Sequence, residues 1–84
     1  MLKYENVAEV GDKIKAFDFE PMDERRDRYL IGEVIEKGHF EEFHADMFKV
    51  KVVKDEALNG RRVGKDIYVP FEMMFDFEGR VEKV

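Results

Sequence analysis

The stretch Phe48-Lys49-Val50-Lys51-Val52 decides the fold class of this chain. Its apolar and charged residues alternate with a period of two, which places the three apolar side chains on one face of an extended strand and both lysines on the other. A helix would scatter the same side chains around its circumference. We therefore predict a half-buried strand over Met47–Lys54.

Four further segments have the composition of strands. They are rich in β-branched or aromatic residues or show alternation, and they cover Lys13–Phe19, Arg28–Lys37, Asp66–Val69 and Arg80–Val84. Gly32 inside the second segment suggests a bend or bulge. A change of apolar phase after Ala16 indicates either a bulge near that residue or a strand shared between two sheets. Pro21 cannot donate to a strand ladder and should end the pairing of the first segment.

Two turn signals separate the later strands. Asn59-Gly60 is a strong tight-turn dipeptide in the connection before Asp66. Pro70–Phe75 carries apolar residues at spacings of three and four, and proline is tolerated in the first turn of a helix. This spacing predicts one turn of 3₁₀ or α-helix there, whereas Met1–Val10 gives no clear signal. The chain is thus expected to form one all-β domain over residues 1–84, with an open α+β fold as the second choice.

Two patches resemble SH3 domains. Ala16-Phe17-Asp18-Phe19-Glu20-Pro21 is similar to the "ALYDFEP"-type opening of that family, and Ile67-Tyr68-Val69-Pro70 resembles its segment in which a strand ends in a proline and a 3₁₀ turn. The resemblance implies a small five-stranded SH3-like barrel, of the kind also found in uncharacterised bacterial and phage proteins. In the family, aromatic side chains from these patches and a tryptophan grip proline-rich peptides. This chain has no tryptophan, and Met73 stands where the family has an aromatic residue.

The composition excludes several classes of protein. The chain is 84 residues long, 44% hydrophobic and 42% charged, which is too apolar for a disordered tail and too short for more than one domain. No apolar run is long enough to cross a bilayer. The sequence lacks cysteine, serine and threonine, so it has no thiol nucleophile and cannot form a hydroxyl triad. We therefore expect a cytoplasmic, non-enzymatic protein without a cofactor.

The preferred functional interpretation is a module that docks a protein partner. Aromatic and apolar side chains would supply affinity and arginines at the rim would set specificity; the candidates are Phe19, Tyr29, Tyr68, Met73, Arg25, Arg26 and Arg28. Because a single helical turn cannot bury both Met73 and Met74, one of them could also support self-association.

Three alternatives involve other ligands. A nucleic-acid-associated domain would use the basic residues Arg25, Arg26, Arg28, Arg61, Arg62 and Lys65, although the net charge of −5 opposes phosphate binding. An acidic surface that imitates nucleic acid is a weaker interpretation, because the basic clusters interrupt it. A metal site over His39–Asp46 would use His39, Glu42 and His44 if the segment were helical; a solvated loop is the preferred interpretation of that segment.

Overall fold

The computed structural model of the chain describes residues 4–17, 28–56, 59–73, 76 and 78–84. Its strands are β1 (Lys13–Phe17), β2 (Tyr29–Phe40), β3 (Ala45–Asp55), β4 (Asp66–Pro70) and β5 (Val81–Lys83). They form one antiparallel sheet with the order β4-β3-β2-β1-β5, so β4 and β5 are its edges. These residues contain no helix, which confirms the all-β class over the α+β alternative.

The hairpin of β2 and β3 is longer than the sequence predicts. The two strands continue pairing through His39 with Asp46 and Phe40 with Ala45, and only residues 41–44 form the turn. His44 adopts a positive φ of 51°, the left-handed conformation that a tight turn needs. The sequence of this segment does not alternate clearly between apolar and polar residues, because both strands carry charged or half-exposed side chains on both faces here. Alternation therefore does not identify it as strand.

The irregularities of the sheet lie in β2 and β3 and not in β1. The register of β1 with β2 is continuous from Lys13 to Phe17, so the predicted bulge near Ala16 is wrong. Instead, the register between β2 and β3 shifts at Ile31/Gly32 and again at Val34/Glu36. A Cβ atom at Gly32 would lie 2.9 Å from Cγ2 of Val50, so glycine allows the close approach of the two strands at this bend.

Pro70 ends a strand and does not begin a helical turn. It pairs with Met47 as the last residue of β4, an edge position where the missing N–H is tolerated. The next residue, Phe71, continues the ladder, because its N–H donates to the carbonyl of Asp46 at 3.0 Å. Its buried ring packs at 4.6 Å against Phe48. The predicted turn is therefore wrong for residues 70–73; Met74 and Phe75 lie outside the described residues.

The core is formed by the faces that the alternation predicts. Phe48, Val50 and Val52 of β3 are buried, as are Leu30 and Val34 of β2. Side chains from β1, β4 and β5 and from the preceding N-terminal segment complete this cluster, namely Ile14, Ala16, Val69, Val81 and Ala8.

Three further sequence signals concern the Asn59-Gly60 turn, the last strand and the end of the first strand. Asn59 and Gly60 have φ angles of 53° and 80°, which confirms the tight turn. The last strand lies within the predicted Arg80–Val84 segment. Phe19 and Pro21 lie outside the described residues, and the end of strand pairing at Pro21 stays a prediction.

The described residues contain no helical segment with the length and hydropathy that a membrane span requires.

Candidate binding groove

An open groove is lined by residues of β4, β1 and β2. Its volume is about 150 Å³, comparable to a cavity that accepts one benzene ring. β4 contributes residues 67–70, β1 and β2 contribute three apolar residues, and three longer side chains complete the lining. The lining residues outside β4 are Ala16, Phe17, Leu30, Arg62, Met73 and Arg80. The groove therefore has room for one branched or aromatic side chain.

Arg80 bridges the two strands that border the groove. Its carbonyl accepts a hydrogen bond from the N–H of Phe17 at the end of β1, at 2.9 Å. Its Nη2 donates to the carbonyl of Pro70 at the end of β4, at 2.8 Å, and its Nε donates to Oδ1 of Asp76 at 2.7 Å. The Tyr4 ring centre lies 5.1 Å from Cζ. Since the side chains of Arg80 and Asp76 are only 2% and 6% exposed, this ion pair is part of the interior.

A second ion pair holds the loop between β3 and β4. Both the main-chain N–H and Nε of Arg62 donate to Oδ2 of Asp55, at 3.1 and 3.0 Å, and Nη2 donates to Oδ1 at 2.9 Å. The Asp55 side chain is fully buried. The guanidinium of Arg62 is therefore directed at a carboxylate of the same molecule, a structural role that differs from its predicted contact with nucleic acid.

The structure brings together two of the predicted docking residues. Tyr68 and Met73 both line the groove. The ring of Tyr68 also packs against Phe40 and Phe43, at centroid distances of 5.3 and 4.7 Å. Tyr29 is not a lining residue, although its neighbour Leu30 is.

The remaining predicted docking residues are the apolar Phe19 and the rim arginines Arg25, Arg26 and Arg28. Arg28 is half-buried immediately before β2. Phe19, Arg25 and Arg26 lie outside the described residues, and their docking role stays a prediction.

Tyr29 belongs to a separate cluster of aromatic and basic side chains. Its ring packs against Phe17, its cross-strand neighbour, with the centroids 5.9 Å apart. Nζ of Lys15 lies 4.3 Å from the centre of the Tyr29 ring and Nζ of Lys54 lies 5.8 Å from it. The Tyr29 phenol, and to a smaller extent the carboxylate of Glu56, raise the pKa of Lys54. The charged form of Lys54 is therefore favoured beside the ring of Tyr29.

Among residues 28–56 and 59–73, the basic loop residues do not form a continuous basic surface with the strands. Arg61 and Lys65 are exposed, but Arg62 between them is paired with Asp55. Along one row of the sheet, basic and acidic residues alternate from β1 to β4, in the order Lys13, Glu33, Lys51 and Asp66. Positive and negative charges are thus interleaved, which weakens the attraction for a phosphate backbone.

The candidate metal ligands lie on the β2–β3 hairpin and not on a helix. Nδ1 of His39 lies 3.2 Å from Oδ1 of Asp46, and its Nε2 lies 3.4 Å from Glu41. Glu42 and His44 are exposed in the turn. Within the described ranges, no group of three or more histidine, aspartate or glutamate side chains is arranged to hold a metal ion.

Comparison with known proteins identifies no relative. No protein-family model matches this chain, and neither the curated proteins nor the solved structures give a significant match.

Sequence reasoning did not find the buried Arg80 or the two buried aspartates that pair with arginines. Arg80 was predicted only as the start of a strand, and Asp55 and Asp76 were not singled out. The one available signal is the spacing of Asp76 and Arg80, which are four residues apart, but such pairs are frequent in a chain with 42% charged residues. Burial of Arg80 depends on contacts with Phe17 of β1 and Pro70 of β4, which no local pattern reveals.

Proposed function

We propose that this domain is a non-catalytic interaction module that docks a protein partner in the groove beside β4. The observation that supports this proposal is the combination of apolar lining with a size suited to one side chain. Ala16, Leu30 and Met73 offer this apolar contact. Anchor side chains in such pockets commonly supply most of the affinity of a protein interface.

We further propose that the domain is a small SH3-like barrel that acts in the cytoplasm. The strand order, the bends at the two register shifts of β2 and the Arg80 bridge between β1 and β4 support the barrel. The absence of cysteine supports a reducing compartment. Self-association is proposed only as a secondary property, for which the half-exposed Phe43 offers a contact.

Nucleic-acid binding is the alternative proposal and receives less support. The contact of Lys15 with Tyr29 favours it, since ammonium groups beside aromatic rings occur on surfaces that stack bases. Against it stand the net charge of −5 and the commitment of Arg62 to Asp55. Binding through phosphates would weaken steeply between low and moderate salt, whereas docking in an apolar groove would not.

Selection of peptides from a display library of random decamers tests the docking proposal. We expect the wild-type domain to enrich peptides with a recurring apolar residue, and their affinity to fall at least tenfold in the Met73→Asp variant. Met47→Asp is the matched control, because Met47 is also half-buried but does not line the groove. Both variants are checked for folding by circular dichroism. Failure to enrich any peptide, or equal loss in both folded variants, would contradict docking in the groove.

A further inference from the structure

The outer edge of β4 carries main-chain groups that no other strand in the described part of the chain uses. Val52 of β3 exchanges hydrogen bonds with Gly64 and Lys65, and the carbonyl of Asp46 accepts from Phe71. Even-numbered residues of β3 therefore direct their main-chain groups toward β4.

The register between β3 and β4 also determines which main-chain groups of β4 point away from β3. Ile67 and Val69 stand opposite Val50 and Phe48 and complete the ladder with β3. In an antiparallel pair the main-chain groups of successive residues point to opposite sides. The N–H and C=O of Asp66 and Tyr68 consequently point away from β3, and within the described residues no strand lies on that side.

Arg80 occupies one end of this edge. Its Nη2 donates to the carbonyl of Pro70, the last residue of β4, and its side chain is only 2% exposed. The outward main-chain groups that remain along β4 are therefore those of Asp66 and Tyr68.

We infer that the occupant of the groove is an extended segment of a partner protein that pairs with β4 as a sixth strand. Tyr68 would exchange N–H···O=C bonds with the segment along the outer edge of β4. Strand addition of this kind derives affinity from the main chain and selectivity from pockets for alternate side chains. The inference rests on the proposed function and specifies the conformation of the ligand.

The charges of the edge define the chemistry of this segment further. Asp66 is exposed at one end of β4 and forms no ion pair with any described residue, so a basic residue opposite it is favoured. The side chains of Ile67 and Val69 lie on the face of β4 that packs against the core. The groove, which both residues line, has room for one apolar side chain of the ligand. The expected ligand therefore alternates apolar and polar residues and carries a lysine or arginine near the Asp66 end.

Methylation of the main-chain nitrogens of a selected peptide tests this inference. The probe is the tightest peptide from the decamer selection, synthesised once unmodified and once with each single N-methyl group. Strand pairing predicts losses of at least tenfold at every second position of the paired stretch and small changes between them, because only alternate amides donate to β4. Losses without this period of two would overturn strand addition. If the period of two is missing but binding of the unmodified peptide still requires Met73, strand addition fails while docking in the groove stands. The two proposals therefore fail separately.

Variants of the domain give an independent readout. Tyr68→Pro removes the outward donor without removing a bond to β3, and Tyr68→Ala removes the same ring while keeping the donor. We expect the proline variant to bind the peptide at least fivefold more weakly than the alanine variant when both are folded. Equal affinities would contradict the inference. A dimer that binds no peptide would also contradict it, because β4 would then pair with a second copy of this chain.

Discussion

Replacement of Arg80 by methionine is expected to lower the free energy of unfolding by about 4 kcal/mol, the usual cost of removing one partner from a buried ion pair. The carboxylate of Asp76 would remain in the interior without its partner, and the carbonyl of Pro70 would lose its donor. Small domains have a total stability of about 5–15 kcal/mol. Urea denaturation followed by circular dichroism should therefore show a midpoint far below that of the wild type.

The double variant Arg80→Met/Asp76→Asn separates the buried charge from the lost packing. Asparagine keeps an acceptor for the N–H of Met73 but removes the charge that the single variant leaves unpaired. We expect the double variant to be more stable than Arg80→Met alone. A cost below about 1 kcal/mol for the single variant, or no recovery in the double, would contradict the role of Arg80 as the bridge between β1 and β4.

Replacement of Arg62 by alanine is expected to destabilise the domain by about 3 kcal/mol, at the lower end of the range for a broken buried pair. Its carboxylate partner, Asp55, has a fully buried side chain, while the Arg62 side chain is 17% exposed and leaves a path for water to enter. The unfolding midpoint in urea is the measurement.

Arg61 provides the matched control for this substitution. It is exposed beside Arg62, so Arg61→Ala should change stability by no more than about 0.5 kcal/mol. If the two variants have equal stability, the Asp55 pair does not hold the loop. A selective loss of nucleic-acid affinity in a fully stable Arg62→Ala variant would favour the alternative function instead.

The sequence predicts the strands whose side chains alternate clearly. Phe48, Val50 and Val52 occupy the buried face that their period of two implies, and Gly32 lies at a register shift as expected for a glycine inside a strand. These predictions succeed because alternation and the lack of a Cβ are local properties that do not depend on distant residues.

The sequence misleads where distant contacts decide the local structure. The spacing around Pro70 is typical of a helical turn, but Phe71 is held in the ladder by Asp46 and in the core by Phe48. Tertiary contacts here override the local signal. The hairpin end was likewise missed, since its cross-strand pairing of His39 with Asp46 becomes visible only when the register is known.

The candidate site was predictable only in part. Tyr68 and Met73 were found because they flank Pro70 and carry large apolar side chains. Arg62 was predicted as a contact for an external phosphate, but its partner is a buried carboxylate of the same chain. Composition cannot distinguish these two roles, because both require a guanidinium and differ only in what the fold places beside it.

Amide hydrogen exchange of the free domain, resolved by residue, tests most directly the claim that β4 is an open edge prepared for a partner. The register predicts slow exchange for the N–H groups of Ile67, Val69 and Phe71, which donate to β3. It predicts fast exchange for Tyr68, which lies between Ile67 and Val69, and for Asp66, which precedes Ile67. Protection of Tyr68 equal to that of Ile67 would mean that the outer edge of β4 is already paired, and would contradict the account.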